Sequence, residues 1–262
     1  MTEQKIRFDD GEAYEQMMGI WSRHVGEIFL DWLAPSPGLR WIDAGCGNGA
    51  FTELLVERCA PAEVQGIDPS EGQLAFARSR STSPVTEFRQ GDVMALPFPA
   101  DRFDAAAMAL VIIFVPDPAK GISEMVRVVR PGGTVATYMW DMLGGGFPVD
   151  PILVEMRAMG FVPSRPPRME ASRMEALRGL WTDAGLEAVE TREITVQRSF
   201  ADFDDFWMTQ LMFPSVAPVV AAMAAGEVET LKSRVRAALP AGAAGKITYA
   251  SRAHAVKGRV PN

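Results

Sequence analysis

The sequence predicts an α/β protein: a mostly parallel sheet with helices on both faces. Three observations carry this. Short apolar runs alternate with helix-length amphipathic stretches between residues 39 and 140. A short apolar run, Trp41-Ile42-Asp43-Ala44, breaks into a glycine turn, Gly45-Cys46-Gly47-Asn48-Gly49, that opens a helix. The next strand, Val64-Gln65-Gly66-Ile67, then closes on a carboxylate, Asp68. A glycine turn lets backbone approach a ligand closely, and a helix N-terminus offers free N–H groups. An acid at the end of the second strand suits the two hydroxyls of a ribose. The opening unit is therefore expected to bind a nucleoside-bearing cofactor.

In chain order, residues 12–33 place Met17, Met18, Trp21, Val25, Ile28, Phe29, Trp32 and Leu33 at helical spacing, ended by Pro35-Ser36-Pro37-Gly38. Strands are expected at Leu39–Ala44, Ala62–Ile67, Val85–Gln90, Phe103–Leu110 and Thr134–Trp140. Helices fall between them at Ala50–Arg58, Glu71–Arg80 and Pro118–Val129. Beyond Trp140 the rhythm changes. A Gly-, Pro- and Met-rich stretch over 141–171 holds one short helix, Pro151–Met159, and a helix over Ser172–Ala184 stops at Gly185. Leu186–Ser199 and Lys246–Val256 read as an antiparallel strand pair at the sheet edge, with a helical insertion over about 200–245 between them. The chain thus reads as a single domain, 1–262, with its core over about 38–140, 172–199 and 246–257. The helix at 12–33 forms an N-terminal cap, and cap and insertion serve as lids.

Composition narrows the function. A length of 262 residues and 48% apolar content suit one soluble α/β domain. A net charge of -7 with dispersed Lys and Arg disfavours nucleic acid as a partner. Two cysteines, Cys46 and Cys59, and two histidines, His24 and His254, offer neither a disulfide framework nor a metal set. The longest apolar run, Ala105–Val115, is too short for a membrane span, and the first residues lack a signal-like apolar core. A soluble cytoplasmic protein is expected; the oligomeric state is open.

The glycine turn also satisfies the loose nicotinamide fingerprint, Gly45-x-Gly47-x-x-Ala50. Three features count against a dinucleotide. Asp43 lies two residues before the first glycine, where it suits an ammonium-bearing cofactor and would repel a pyrophosphate. Gly91-Asp92 follows the third strand, where a carboxylate meets an adenine amino group. The chain also ends in an antiparallel pair in place of a second mononucleotide half.

With these residues in view, Asp43-Ala-Gly-Cys-Gly-Asn-Gly49 resembles motif I of the class I S-adenosylmethionine-dependent methyltransferases. The resemblance continues through Gly66-Ile67-Asp68-Pro69-Ser70, Gly91-Asp92-Val93-Met94-Ala95-Leu96-Pro97-Phe98, Phe103-Asp104, Phe114-Val115-Pro116-Asp117-Pro118 and Arg130-Pro131-Gly132-Gly133. It covers about residues 40–140 and is most similar to the UbiE-like, type 11 branch. It implies a Rossmann-like seven-stranded sheet with an antiparallel last strand, and S-adenosyl-L-methionine as cofactor. It further implies that Gly45, Cys46, Gly47 and Gly49 line the methionine part, with Asp43 beneath them. Asp68 would take the ribose hydroxyls, Pro69, Ser70 and Gln73 would flank the adenine, and Gly91, Asp92 and Val93 would meet its far edge. Leu110 and Val111 would cover the sulfonium, and Tyr14 would close over the cofactor. Relatives often carry a histidine where this chain has Ile113.

Methyl transfer from an activated donor needs alignment and desolvation more than a catalytic cluster. The candidate bases are Asp141, directly after the fifth strand, and His24, with Asp150 and Tyr138 behind them. Met18, Trp21, Trp140, Phe206 and Trp207 are expected around an acceptor pocket, which implies a rather apolar small molecule of aromatic or isoprenoid kind. Two other functions stay open: a protein that binds S-adenosylmethionine without turnover, and an NAD-dependent oxidoreductase.

Overall fold

The computed structural model describes residues 11–240, 242 and 245–262; the side chains at 11–14 and 16 lie outside the description. The described residues form one seven-stranded sheet in the order β3-β2-β1-β4-β5-β7-β6. The strands are β1 (Arg40–Ala44), β2 (Glu63–Asp68), β3 (Thr86–Gln90), β4 (Phe103–Ala109), β5 (Val129–Trp140), β6 (Glu187–Phe200) and β7 (Ile247–Arg259). The first five are parallel, and β7 runs antiparallel to both β5 and β6. This is the predicted α/β sheet. Its chain order reverses between β1 and β4, and such a reversal opens a crevice at the carboxyl ends of the strands.

The helices follow the apolar periodicity. The helix α1 (Gly11–Leu33) is continuous and buries Met17, Met18, Trp21, Val25, Phe29 and Leu30. Trp21 meets Trp140 edge-on with centroids 6.4 Å apart, and Phe29 lies 4.6 Å from the Tyr138 ring. Each such side chain removes enough apolar surface from water for about 1.5–3 kcal/mol, which fastens α1 along the carboxyl end of β5. Between β1 and β5 lie α2 (Ala50–Cys59), α3 (Glu71–Arg80) and α4 (Pro118–Val128). Ser70 caps α3 by accepting from the Gln73 N–H, and Asp117 caps α4 by accepting from that of Lys120. At the amino edge of the sheet, Asp104 is gripped by Arg40 and Arg130. Burial alone would raise its carboxyl, but these hydrogen bonds hold it down at about 2.

One boundary differs from expectation. The strand β5 begins at Val129, before the Pro-Gly-Gly turn, because Gly132 N–H and Gly133 C=O pair with Val260 while the register against β4 shifts between Phe103 and Ala105. The last two strands form the expected antiparallel pair at the sheet edge, with β7 inside and β6 outermost. Among the described residues the 200–245 insertion is helical as expected, in three helices, α7 (Phe203–Gln210), α8 (Ala217–Ala221) and α9 (Ala225–Ala238). Two more, α5 (Asp150–Ala158) and α6 (Met174–Asp183), lie between β5 and β6. Among the described residues no helix is long and apolar enough to cross a membrane.

Candidate active site

A cavity of about 760 Å³ opens at the crevice where the sheet order reverses. That volume is in the upper part of the range of small-molecule sites, roughly 300–1,000 Å³. At one end it is walled by Gly45, Cys46, Gly47 and Asn48 after β1, by Asp68, Pro69, Ser70 and Gln73 after β2, and by Asp92 and Val93 after β3. Leu110 and Val111 after β4 also reach it. All these positions except Asn48 were expected from the sequence to meet a cofactor.

The glycine loop is shaped for close approach. Gly45 has φ +82, and a Cβ there would sit 2.6 Å from the Val111 side chain, so backbone and Val111 occupy the same space without one. Asp68 fastens the loop. Its Oδ2 accepts from Gly47 N–H at 2.9 Å and its Oδ1 from Ser70 N–H at 2.9 Å. Burial raises the Asp68 carboxyl above its usual range even though these two donors oppose the rise. Each oxygen retains lone-pair capacity toward the cavity. Leu110 holds a left-handed backbone, φ 62, at the exit of β4. This conformation is unfavourable for a branched side chain and such strain concentrates at functional sites.

Several expected residues do not line the cavity. Asp43 is fully buried and does not reach the cavity. It lies under the loop, where Oδ2 accepts from Thr52 Oγ1 at 2.6 Å and Oδ1 has no partner. Burial, aided by the charge of Asp68, pushes its carboxyl up to about 7. Gly49 faces Ala77 and Phe88, and Gly91 faces Ile67, so both serve packing and neither lines the cavity. Cys46 does reach it, but burial and the neighbouring Asp43 and Asp68 push its thiol well up, so it stays protonated. Tyr14 falls in α1 with its side chain outside the described residues.

Neither leading base candidate lines the cavity. The cavity-facing stripe of α1 is Glu15, Met18, Gly19, Ser22 and Arg23. His24 is one residue further round the helix and exposed to solvent. Asp141 is 4% exposed and turned away from the cavity. It accepts from both Arg252 and Gly144 N–H, which anchors the loop after β5 to β7. Burial favours its neutral form, but these donors and the nearby His254 hold its carboxyl below the usual range. Of the predicted acceptor residues, Met18 and Trp140 line the cavity. Trp21 is sealed between Trp140 and Tyr249, Phe206 packs on Phe200 and Tyr249, and Trp207 stacks on Phe203. From the insertion, Phe213, Pro214 and Ser215 reach the cavity instead. These follow α7 in a non-helical turn, where helical periodicity carries no information.

Glu15, Asn48, Asp150 and Arg157 also line the cavity. Glu15 accepts from Asn48 Nδ2 at 3.3 Å and from Arg80 Nη1 at 3.0 Å, so α1 is tied to the glycine loop by charge as well as by packing. Among the described residues no cluster of His, Cys, Asp and Glu is arranged to hold a metal.

The raised carboxyl of Asp43 makes a stability prediction. Between an unfolded pKa of about 4 and its folded value of about 7, the folded state binds the extra proton, so stability falls as pH rises through that window. Asp43→Asn removes this term while keeping an acceptor for Thr52. Thermal melts at acidic and mildly alkaline pH should show the wild type losing stability relative to the variant as pH rises, by on the order of 1 kcal/mol or more. Parallel pH profiles would refute the assignment.

Comparison with known proteins accords with this geometry. Residues 42–137 match the profile of the methyltransferase domain family. A demethylmenaquinone methyltransferase of Desulfitobacterium hafniense (strain Y51) is 38% identical over 106 residues, covering 38% of this chain and 42% of that protein. The enzyme of that name from Lysinibacillus sphaericus (strain C3-41) is 34% identical over 130 residues, covering 47% and 56%. The chain thus spans about half the length of these curated relatives. Among solved structures, the YcgJ protein of Bacillus subtilis superposes with a TM-score of 0.62 at 17% identity, covering 91% of this chain and 99% of that one. A phosphoethanolamine N-methyltransferase of Haemonchus contortus, solved with phosphomonomethylethanolamine and S-adenosylhomocysteine, gives 0.60 at 17% identity, covering 96% and 57%. Residues 42–137 are thus similar to the methyltransferase domain, and the sheet order with the glycine loop at its reversal is the fold these solved structures share.

Proposed function

We propose that the protein transfers a methyl group from S-adenosyl-L-methionine to a small, largely apolar acceptor. The observation that carries this reading is the convergence of the glycine loop, Asp68 and Asp92 on one end of a cavity whose other end is mostly apolar. The residues fit the cofactor. The unpartnered Oδ1 of Asp43 puts buried negative potential beneath the loop. The spare lone pairs of Asp68 suit ribose hydroxyls, and the exposed Asp92 suits an adenine amino group. The cofactor supplies a methyl group already activated on a sulfonium.

The chain's own residues then hold and exclude. Leu110, Val111 and Ile113 form an apolar wall after β4 that keeps water from the reacting centre. Met18 and Trp140 continue that wall toward the acceptor. Glu15 takes the part of a direct partner for the amino-acid end of the cofactor, since Asp43 is sealed below. Its Oε2 is engaged by Asn48 and Arg80, which leaves Oε1 for an ammonium. A second reading, binding without transfer, draws on the apolar Ile113 wall, which offers no base beside the reacting centre.

Calorimetry with S-adenosylhomocysteine and NAD, followed by incubation with labelled methyl donor and a small-metabolite extract, tests these readings. Tight binding with label transfer supports methyl transfer; tight binding without any transfer favours the second reading; preference for NAD overturns both. Asp68→Ala should weaken S-adenosylhomocysteine by about tenfold or more, because ribose hydroxyls and two loop N–H groups lose their acceptor. Glu15→Gln should weaken S-adenosylhomocysteine by about tenfold, yet leave 5′-methylthioadenosine, which lacks the amino acid, unchanged. Equal losses for both ligands would remove Glu15 from the ammonium.

A further inference from the structure

The acceptor end of the cavity is mostly apolar; Ser164, the exposed Arg165 and Ser215 also line the cavity, and the largely buried charge on it comes from one helix. The helix α5 presents Asp150, Leu153 and Arg157 to it, spaced i, i+3 and i+7 on one face. Around them the wall is Met142, Phe147, Phe213 and Pro214. The start of α5 is fixed from the far side of the sheet reversal: Tyr249 on β7 donates through its hydroxyl to Pro148 C=O at 2.7 Å. Asp150 is thus held on the β5/β7 side, while the glycine loop and Asp68 lie over β1 and β2.

The two oxygens of Asp150 differ. Oδ2 accepts from Phe147 N–H at 3.1 Å and closes the turn that starts the helix. Oδ1 has Arg157 Nη2 at 3.9 Å, beyond hydrogen-bond reach. The Asp150 side chain is 13% exposed, whereas that of Arg157 is 37% exposed at the rim. A carboxylate oxygen in an apolar wall is costly to leave without a donor, and a ligand that brings one offsets that cost.

We propose that Asp150 is the acceptor-recognition residue, receiving through Oδ1 a hydrogen bond from a hydroxyl or amino group on an otherwise apolar acceptor. The proposal rests on the methyl-transfer reading and deepens it by naming the acceptor's chemistry. An apolar molecule without a donor would bury that oxygen unpaired, so the site discriminates against hydrocarbons.

The charge state of Asp150 is part of the device. Burial pushes its carboxyl up to about 6, against the hydrogen bond from Phe147 and the charge of Arg157 and with the charge of Asp141. Tyr249 faces the same region from β7, and its own hydroxyl is pushed far up by burial, so it stays neutral there. At neutral pH Asp150 is an anion and a strong acceptor; as pH falls through about 6 it is protonated and loses that strength.

Equilibrium dialysis on the protein saturated with S-adenosylhomocysteine tests this with three probes of one ring system: naphthalene, naphthol and naphthylmethylammonium. At about pH 7.5 a donor-bearing probe should bind about tenfold or more tighter than naphthalene, and that advantage should fade as pH is lowered to about 5. Comparison of the naphthol and ammonium arms tells a hydroxyl from an amine. Asp150→Asn keeps an acceptor for Phe147 N–H and so the turn, yet it should cut the advantage to about threefold or less and remove its pH dependence. Equal binding of all three probes, or an advantage that Asp150→Asn and pH leave untouched, overturns the proposal. S-adenosylhomocysteine binding in the same samples separates the two levels. If it is intact while discrimination fails, Asp150 loses its role and methyl transfer stands. If the wild type does not bind it at all, both fall.

Discussion

The site depends on one carboxylate at the end of β2. Asp68 accepts from Gly47 N–H in the loop after β1 and from Ser70 N–H at the start of α3. Two turns from two different strand ends are thereby fixed to a single side chain. Strand order supplies the setting, because β1 and β2 are neighbours in register, with Ala44 opposite Ile67. The backbone N–H groups of both turns would otherwise compete for water or for any anion in the cavity. With Asp68 in place they are satisfied and the loop presents one shape.

Around that clamp, polar groups are placed according to how far each is buried. Asp43 is sealed and drawn toward neutrality, Asp68 is partly buried with both oxygens engaged, and Asp92 is exposed. Along α5, Asp150 is largely buried and Arg157 is half open to solvent at the rim. The cavity therefore grades from a polar end over β1–β3 to an apolar end near β5 and α5 that holds a single largely buried carboxylate. Such a grading suits a polar, charged cofactor beside an apolar partner, with orientation set by a small number of polar contacts.

The residues that failed to reach the cavity failed for a common reason. Trp21, Phe206 and Trp207 are large apolar side chains on amphipathic helices, and the sheet and neighbouring helices gain more by burying them than a solvent-filled cleft does. Asp141 follows a strand at the carboxyl edge of the sheet, but Arg252 from β7 captures it. That contact joins residues 111 positions apart and has no local signature. The residues of the insertion that reached the cavity unannounced, Pro214 and Ser215, lie in an irregular turn. Glu15 reached it through the docking of α1, which is decided by Trp21 and Phe29 against β5 and β7.

The sequence by itself determined the α/β alternation, the glycine turn, the acids closing β2 and following β3, and so the polar half of the cavity. Each of these is local: a strand period, a turn that needs glycine, a side chain within a few residues of the strand end. Tertiary structure decided the rest. The sheet order put β7 inside and β6 at the edge, sealed Asp43 below the loop, drew Asp141 into an ion pair and turned α5 so that Asp150 faces inward. Those outcomes depend on which distant segments win the burial of shared surface, and no short window of sequence contains that competition.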